Sequence, residues 1–199
     1  MTTLVIDRST RTQSVALVED GRVAAAAVLG GSDSRSGDWA PKTLGFARGS
    51  KIDRIVTGTG PGSFAGIRAA IAFAQGYSIG SGCETFGIPS ACAYAREGEK
   101  IAAIGDSRRG RFWLAVFDGF EMKGEVVQTT ADALPSLVPP DAKVATPDED
   151  RIGGVLKDMF GERFAGGFPP LAENLARFFI ATPSILKPEP LPIYLNAPC

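Results

Sequence analysis

The densest run of chemically suggestive residues is Gly58-Thr-Gly-Pro-Gly-Ser-Phe-Ala-Gly-Ile-Arg68. Gly58, Gly60 and Gly62 open backbone angles closed to other residues, and Pro61 fixes one more. Ser63 is placed to accept a hydrogen bond from the first helical turn. Amides at such a helix start attract anions, so a phosphate cradle is one reading. The run lacks the Gly-Lys-Ser/Thr of a Walker loop and does not match the dinucleotide glycine fingerprint, which leaves a structural turn as the simpler reading. The sequence contains no histidine, which removes histidine triads, histidine general bases and the commonest metal ligand. Cys83, Cys92 and Cys199 are odd in number and lack the paired spacing of a zinc or redox site, a pattern expected of reduced cytoplasmic thiols.

The elements that must position this run are legible from hydrophobic patterning. The chain has 199 residues, 44% of them hydrophobic, enough for a real core. Leu4 to Asp7 reads as a buried strand, Ser14 to Val18 as its hairpin partner, and Asp20-Gly21 as a tight turn into a third strand over Arg22 to Leu29. Gly30 to Ser50, rich in Gly, Ser and charge, reads as a loop with at most a short helix. A strand over Ile52 to Thr57 leads into the glycine turn and a helix from Ser63 to about Ser78. A short strand near Thr85 to Ile88 and a short helix from Pro89 follow. No segment approaches about 18 consecutive apolar residues, and the amino terminus carries no basic leader, so a cytoplasmic protein without a membrane span is expected. The formal net charge of -1 gives the chain no electrostatic reason to hold nucleic acid by itself.

After a polar break the opening pattern returns. Ile101 to Gly105 gives a strand ending at Asp106, Arg111 to Phe117 gives its partner, and Asp118-Gly119 supplies the turn. Asp7 precedes the Gly21 turn by almost the interval at which Asp106 precedes Gly119, which we read as an internal duplication. A helix over Ala131 to Leu137, a strand over Lys143 to Ala145, helices near Arg151 to Met159 and Leu171 to Ala181, and a proline-rich tail complete an abbreviated second half. These patterns divide the chain into 1–98 and 99–199.

Two meander halves, each opening with an apolar strand that ends in Asp, resemble the α/β duplicated fold of actin-like ATPases, sugar kinases and ribonuclease H-like proteins, the ASKHA superfold. In an active member, Asp7 and Asp106 would hold a metal–nucleotide complex through water, whereas as turn residues they would be internally hydrogen-bonded. More narrowly, Leu4-Val-Ile-Asp7-Arg-Ser9-Thr10, Gly60-Pro-Gly-Ser-Phe-Ala-Gly-Ile-Arg68, Asp106-Ser-Arg-Arg-Gly110 and Pro192-Ile-Tyr-Leu195 resemble the TsaB (YeaZ) family across nearly the whole chain. The resemblance implies a cytoplasmic accessory protein with no catalytic residue and no metal of its own. It would pair with the homologous catalytic subunit TsaD and the small ATPase TsaE in making threonylcarbamoyladenosine at position 37 of tRNA. It would touch tRNA only through the complex, bind no cofactor alone, share ATP or ADP with its partner at their junction, and self-dimerise when alone. Arg8, Ala65, Gln75 and Arg111 depart from the family pattern, and a histidine-bearing helix usual after the third strand is missing.

The helix after the glycine turn has small residues on more than one face. Phe64, Ile67 and Ile71 suffice to pack it on its own sheet, which leaves Ala69, Ala72, Phe73 and Gly76 for a second surface. Spacing alone is equally compatible with a fully internal helix. Under the resemblance, Ser63, Phe64, Arg68, Ala69, Ala72, Phe73 and Gly76 form the partner interface, and Asp7, Ser9, Gly60, Gly62 and Asp106 are degenerate nucleotide positions. Arg108, Arg109 and Arg111 would bind an oxyanion or cap a solvated hairpin. Against the accessory reading stand a small-molecule kinase or ATPase, which needs a second phosphate loop that neither Gly153-Gly154 nor Gly166-Gly167 supplies, and a metallopeptidase, which lacks histidine. A two-metal nuclease would need more strand-end acids than Asp7 and Asp106.

Overall fold

The computed structural model describes residues 1–30 and 38–195, which leaves part of the Gly30–Ser50 stretch and Cys199 outside the described residues. The chain forms two compact units, one of Met1–Ala93 with Pro170–Ile193, the other consisting chiefly of Tyr94–Pro169.

The first unit opens with strands β1 (Thr2–Asp7), β2 (Gln13–Glu19) and β3 (Arg22–Gly30), followed by helix α1 (Trp39–Phe46), strand β4 (Arg54–Gly58), helix α2 (Phe64–Ser81) and strand β5 (Glu84–Ile88). β1 pairs antiparallel with β2 and parallel with β4, and β4 pairs parallel with β5. The hydrophobic run of β1 is buried throughout, with Leu4, Val5 and Ile6 at 0–1% exposure, as a strand covered on both faces requires. Leu4 and Ile6 join Val15, Leu17, Ile55, Ala70 and Ala74 in one apolar cluster.

The second unit repeats this plan. Strands β6 (Lys100–Arg108), β7 (Arg111–Asp118), β8 (Glu121–Met122) and β9 (Val127–Thr130) are followed by helix α3 (Leu134–Leu137), strand β10 (Lys143–Thr146), helix α4 (Glu149–Phe160) and strand β11 (Phe164–Gly167). β6 pairs antiparallel with β7 and parallel with β10, which pairs parallel with β11. The duplicated topology is therefore present, and its second copy is shortened: α3 has 4 residues and α4 has 12, against 18 in α2. Ala102, Ile104, Phe112, Leu114, Val144, Leu156 and Phe160 form its core.

Helix α5 (Ala172–Ala181) and strand β12 (Lys187–Pro188) then return to the first unit. The Ala172 amide donates to Ser14 Oγ at 2.9 Å, and β12 pairs with the edge of β5. The division at residue 98 is corrected accordingly, because the chain's last helix buries Leu175, Ala176, Phe178 and Phe179 in the unit that precedes it in sequence. An eight-residue helix, α1, stands after the third strand, the short helix that patterning allows there, so a helix is present at that place although it carries no histidine. Among the described residues no helix is long and apolar enough to cross a membrane.

Candidate functional site

The glycine turn is an internally bonded corner. The Thr59 amide donates to Ile88 O at 2.8 Å, the Gly60 amide to Ser90 Oγ at 3.0 Å, and the Ser63 amide to Ser9 O at 2.6 Å. Ser63 caps α2 as its type and position predict, accepting from the Gly66 amide at 3.3 Å. The glycines answer to close approach from the end of β1. A Cβ on Gly58 would run into the Asp7 carboxylate, one on Gly62 into the Ser9 backbone, and one on Gly66 into Arg8 O. The Ile193 amide donates to Thr59 O at 2.9 Å and ties the tail to the same corner.

Asp7 is the hub of this packing. It is fully buried, and its Oδ1 accepts from the Ser9 amide at 3.0 Å and the Ser9 hydroxyl at 2.8 Å, while Oδ2 accepts from the Ser90 hydroxyl at 2.6 Å. Burial pushes its carboxyl above the usual range, and the bonds from Ser90 and Ser9 oppose that push. Asp7, Ser9, Gly60 and Gly62 thus meet at one corner, whereas Asp106, grouped with them under the resemblance, lies in the second unit. Ser90, 83 positions from Asp7, is the member that patterning misses, since nothing local distinguishes a serine after Pro89. Arg8, a departure from the family pattern, lays its guanidinium 4.0 Å above the Trp39 ring of α1.

Asp106 lies in the second unit and is built differently. Its Oδ1 accepts from the Arg108 amide at 2.7 Å, and its Oδ2 pairs with Arg151 at 3.2 Å and Arg108 at 3.7 Å. Its own amide donates to Asp148 Oδ2 at 2.8 Å, and Asp148 pairs with Arg151. Asp148 and Arg151 belong to the start of α4 and would be found only by knowing that β10 lies beside β6. Among the described residues no group of three or more His, Cys, Asp or Glu can hold a metal ion.

Helix α2 has two distinct faces. Ile67, Ala70, Ile71 and Ala74 are buried, while Phe64, Arg68, Ala72, Gln75, Gly76 and Ile79 are exposed along one helical stripe. Phe64 is 51% exposed, which corrects its expected place in the core. The small Ala70 and Ala74 bring the helix close to the sheet instead. Ser63, Phe64, Arg68, Ala72 and Gly76 are exposed. Ala69 is half-buried, and half-buried Phe73 turns to its own unit, with its ring 5.2 Å from Trp39 and 6.3 Å from Tyr77. Ile79, 88% exposed, and Gln75 extend the stripe; their i+3 spacing from Gly76 and Ala72, and i+7 from Ala72 and Arg68, is the available signal. Arg68 sits 4.9 Å over the Phe64 ring.

Residues 45–146 match the profile of the family described as TsaD, tRNA N6-adenosine threonylcarbamoyltransferase. The chain belongs to that family. Its fold over nearly its whole length is that of YeaZ from Pseudomonas aeruginosa, with a TM-score of 0.76 at 21% identity over 97% of this chain and 100% of the other. A second Pseudomonas aeruginosa structure, described as an uncharacterized protein similar to peptidase YEAZ, gives a TM-score of 0.77 at 20% identity over 98% of this chain and 99% of that one. An uncharacterized protein of Mycobacterium tuberculosis is 33% identical over 86 residues, 42% of this chain and 41% of that relative's own length. The resemblance to the TsaB (YeaZ) family and the actin-like α/β fold are both borne out.

Proposed function

We propose that this TsaD-family chain is a non-catalytic partner of TsaD in forming threonylcarbamoyladenosine at position 37 of tRNA, docking through the exposed stripe of α2. The observation that carries this reading is the pair of opposed faces on that helix. A sealed corner fixes its first turn, and an uncharged centre at Ala72 and Gly76 lies between Phe64 with Arg68 at one end and Ile79 at the other. Such a face lets a second helix approach to backbone distance, with apolar anchors at both ends.

The glycine turn and Asp7 do not fit a nucleotide phosphate in this chain. The Thr59, Gly60 and Ser63 amides are bonded internally, and both Asp7 oxygens accept from serines. ATP or ADP, the TsaE ATPase and tRNA then belong to the assembled complex, and the chain self-dimerises through the same stripe when TsaD is absent.

Co-purification with the TsaD of the same organism tests this. The wild-type chain should form a stable heterodimer. Ala72→Arg, which places bulk and charge at the centre of the stripe, should weaken it by about 100-fold while leaving the unfolding midpoint in place. No complex with the wild type, even with ATP and TsaE present, would sink the proposal.

A further inference from the structure

The tip of the β6–β7 hairpin has no part in the docking helix or in the corner around Asp7. Arg108 pairs with Arg111 across the hairpin, and Arg109-Gly110 makes the turn between them. Arg108 and Arg109 adopt φ of 67° and 54°, in the left-handed region where Gly, Asn and Asp are the ordinary occupants. The β2–β3 turn meets the same demand conventionally, with Asp20 at 48° and Gly21 at 74°. Two consecutive arginines in that region are therefore not a requirement of the hairpin geometry.

Arg108, Arg109 and Arg111 are all exposed. The two carboxylates beneath them, Asp106 and Asp148, are already engaged by Arg151, the Arg108 guanidinium and the amides of Arg108 and Asp106. Arg111 is held by a neutral relay: its Nη1 donates to Gln128 Oε1 at 3.0 Å, and Gln128 Nε2 donates to Ser107 Oγ at 2.7 Å. That relay fixes the guanidinium without cancelling its charge, and Arg109 stands exposed in the turn two residues before it. In a chain with a formal net charge of -1, this is a local and oriented concentration of positive charge.

We infer that the β6–β7 tip binds the phosphate backbone of the RNA, with Arg109 and Arg111 as the contacting residues and Gln128 as the residue that positions Arg111. Guanidinium forks match phosphate oxygens in geometry and charge, and contacts of this kind set position on RNA without reading its sequence. The choice of RNA over other anions rests on the function proposed above, because the family's described substrate is a tRNA.

The test uses the chain reconstituted with TsaD and a fluorescein-labelled unmodified tRNA that reads a codon beginning with A, followed by anisotropy across a salt series. Arg109→Ala with Arg111→Ala should weaken tRNA binding by about 10-fold or more and flatten the dependence of log K on log salt by about one to two units. Arg111→Lys should keep the salt slope, and Gln128→Leu should lose affinity while keeping it. Heterodimer affinity should be unchanged in all of them. An unaltered salt slope in the double variant overturns the assignment, as does a loss that appears instead in TsaD binding, which would mark an acidic protein surface, or in ATP binding. Failure of the wild type to pair with TsaD overturns both this inference and the reading beneath it, whereas unchanged tRNA binding in a formed complex overturns the hairpin assignment alone.

Discussion

Asp7 and Asp106 end the first strands of two topologically equivalent hairpins, and both begin with the same local device. In each, Oδ1 accepts the amide two residues on, from Ser9 at 3.0 Å and from Arg108 at 2.7 Å. From there they diverge. Asp7 has no exposed surface and, besides that amide, accepts from the Ser9 and Ser90 hydroxyls, while Asp106 retains 16% side-chain exposure and shares two arginines. Residue i+2 separates the cases: Ser9 folds its hydroxyl back on the carboxylate beneath the glycine turn, whereas the long Arg108 side chain stays 72% exposed and reaches its carboxylate only by a charge pair at 3.7 Å. One copy of the duplicated unit has thus made its strand-end carboxylate a structural pin beneath the start of α2. The other has kept it beneath a charged surface.

The largest test of this contrast is steric. Gly62→Ala would set a Cβ against the Ser9 backbone at a φ of 154°. It should cost about 3 kcal/mol or more, read as a lowered urea midpoint, because backbone must shift on one side or the other. Asp7→Asn comes next, at about 2 kcal/mol, since a carboxamide offers one acceptor oxygen where Ser9 and Ser90 need two. Its cost should also depend on pH. Burial raises the folded Asp7 above its ordinary value of 3.8, so the folded state takes up the proton more readily. Stability from this group is present below that ordinary value and lost as pH rises through the raised one. The gap between wild type and Asp7→Asn should therefore be wider at pH 4 than at pH 7. A gap that widens toward neutral pH would mean that the hydroxyl bonds, not burial, govern the carboxyl.

Much of this was legible in the sequence because period and turn chemistry are local signals. The β1–β2–β3 meander, the Ser63 cap and the return of strand-Asp-turn-strand at Asp106 all follow from residues close in sequence. Contacts made across long stretches were not legible. Ser90 reaches Asp7 and Arg151 reaches Asp106 only because parallel pairing brings distant strand ends together, and Ala172 reaches Ser14 because α5 packs against β2. Phe64 shows a second limit. Its large apolar side chain suits a core position, yet the close approach of α2 to the sheet is made by Ala70 and Ala74, and the ring is left outside. Size predicts burial poorly where backbone proximity decides it.

The smallest expected effect is the one that bears most directly on the divergence of the two halves. Asp106→Asn keeps the Oδ1 acceptor for the Arg108 amide and removes only the charge that Arg108 and Arg151 share, while Arg151 keeps its pairing with Asp148. Pairs of this exposure are worth about 0.2–1 kcal/mol, so the urea midpoint should move little, well short of the Asp7→Asn shift. Equal costs at the two positions would break the comparison, because they would make Asp106 as much a pin of its own unit as Asp7 is. A small cost accompanied by tighter tRNA binding in the reconstituted complex would sharpen it. The only role lost would then be the partial neutralisation of Arg108, with Arg109 and Arg111 beside it left to act on the RNA.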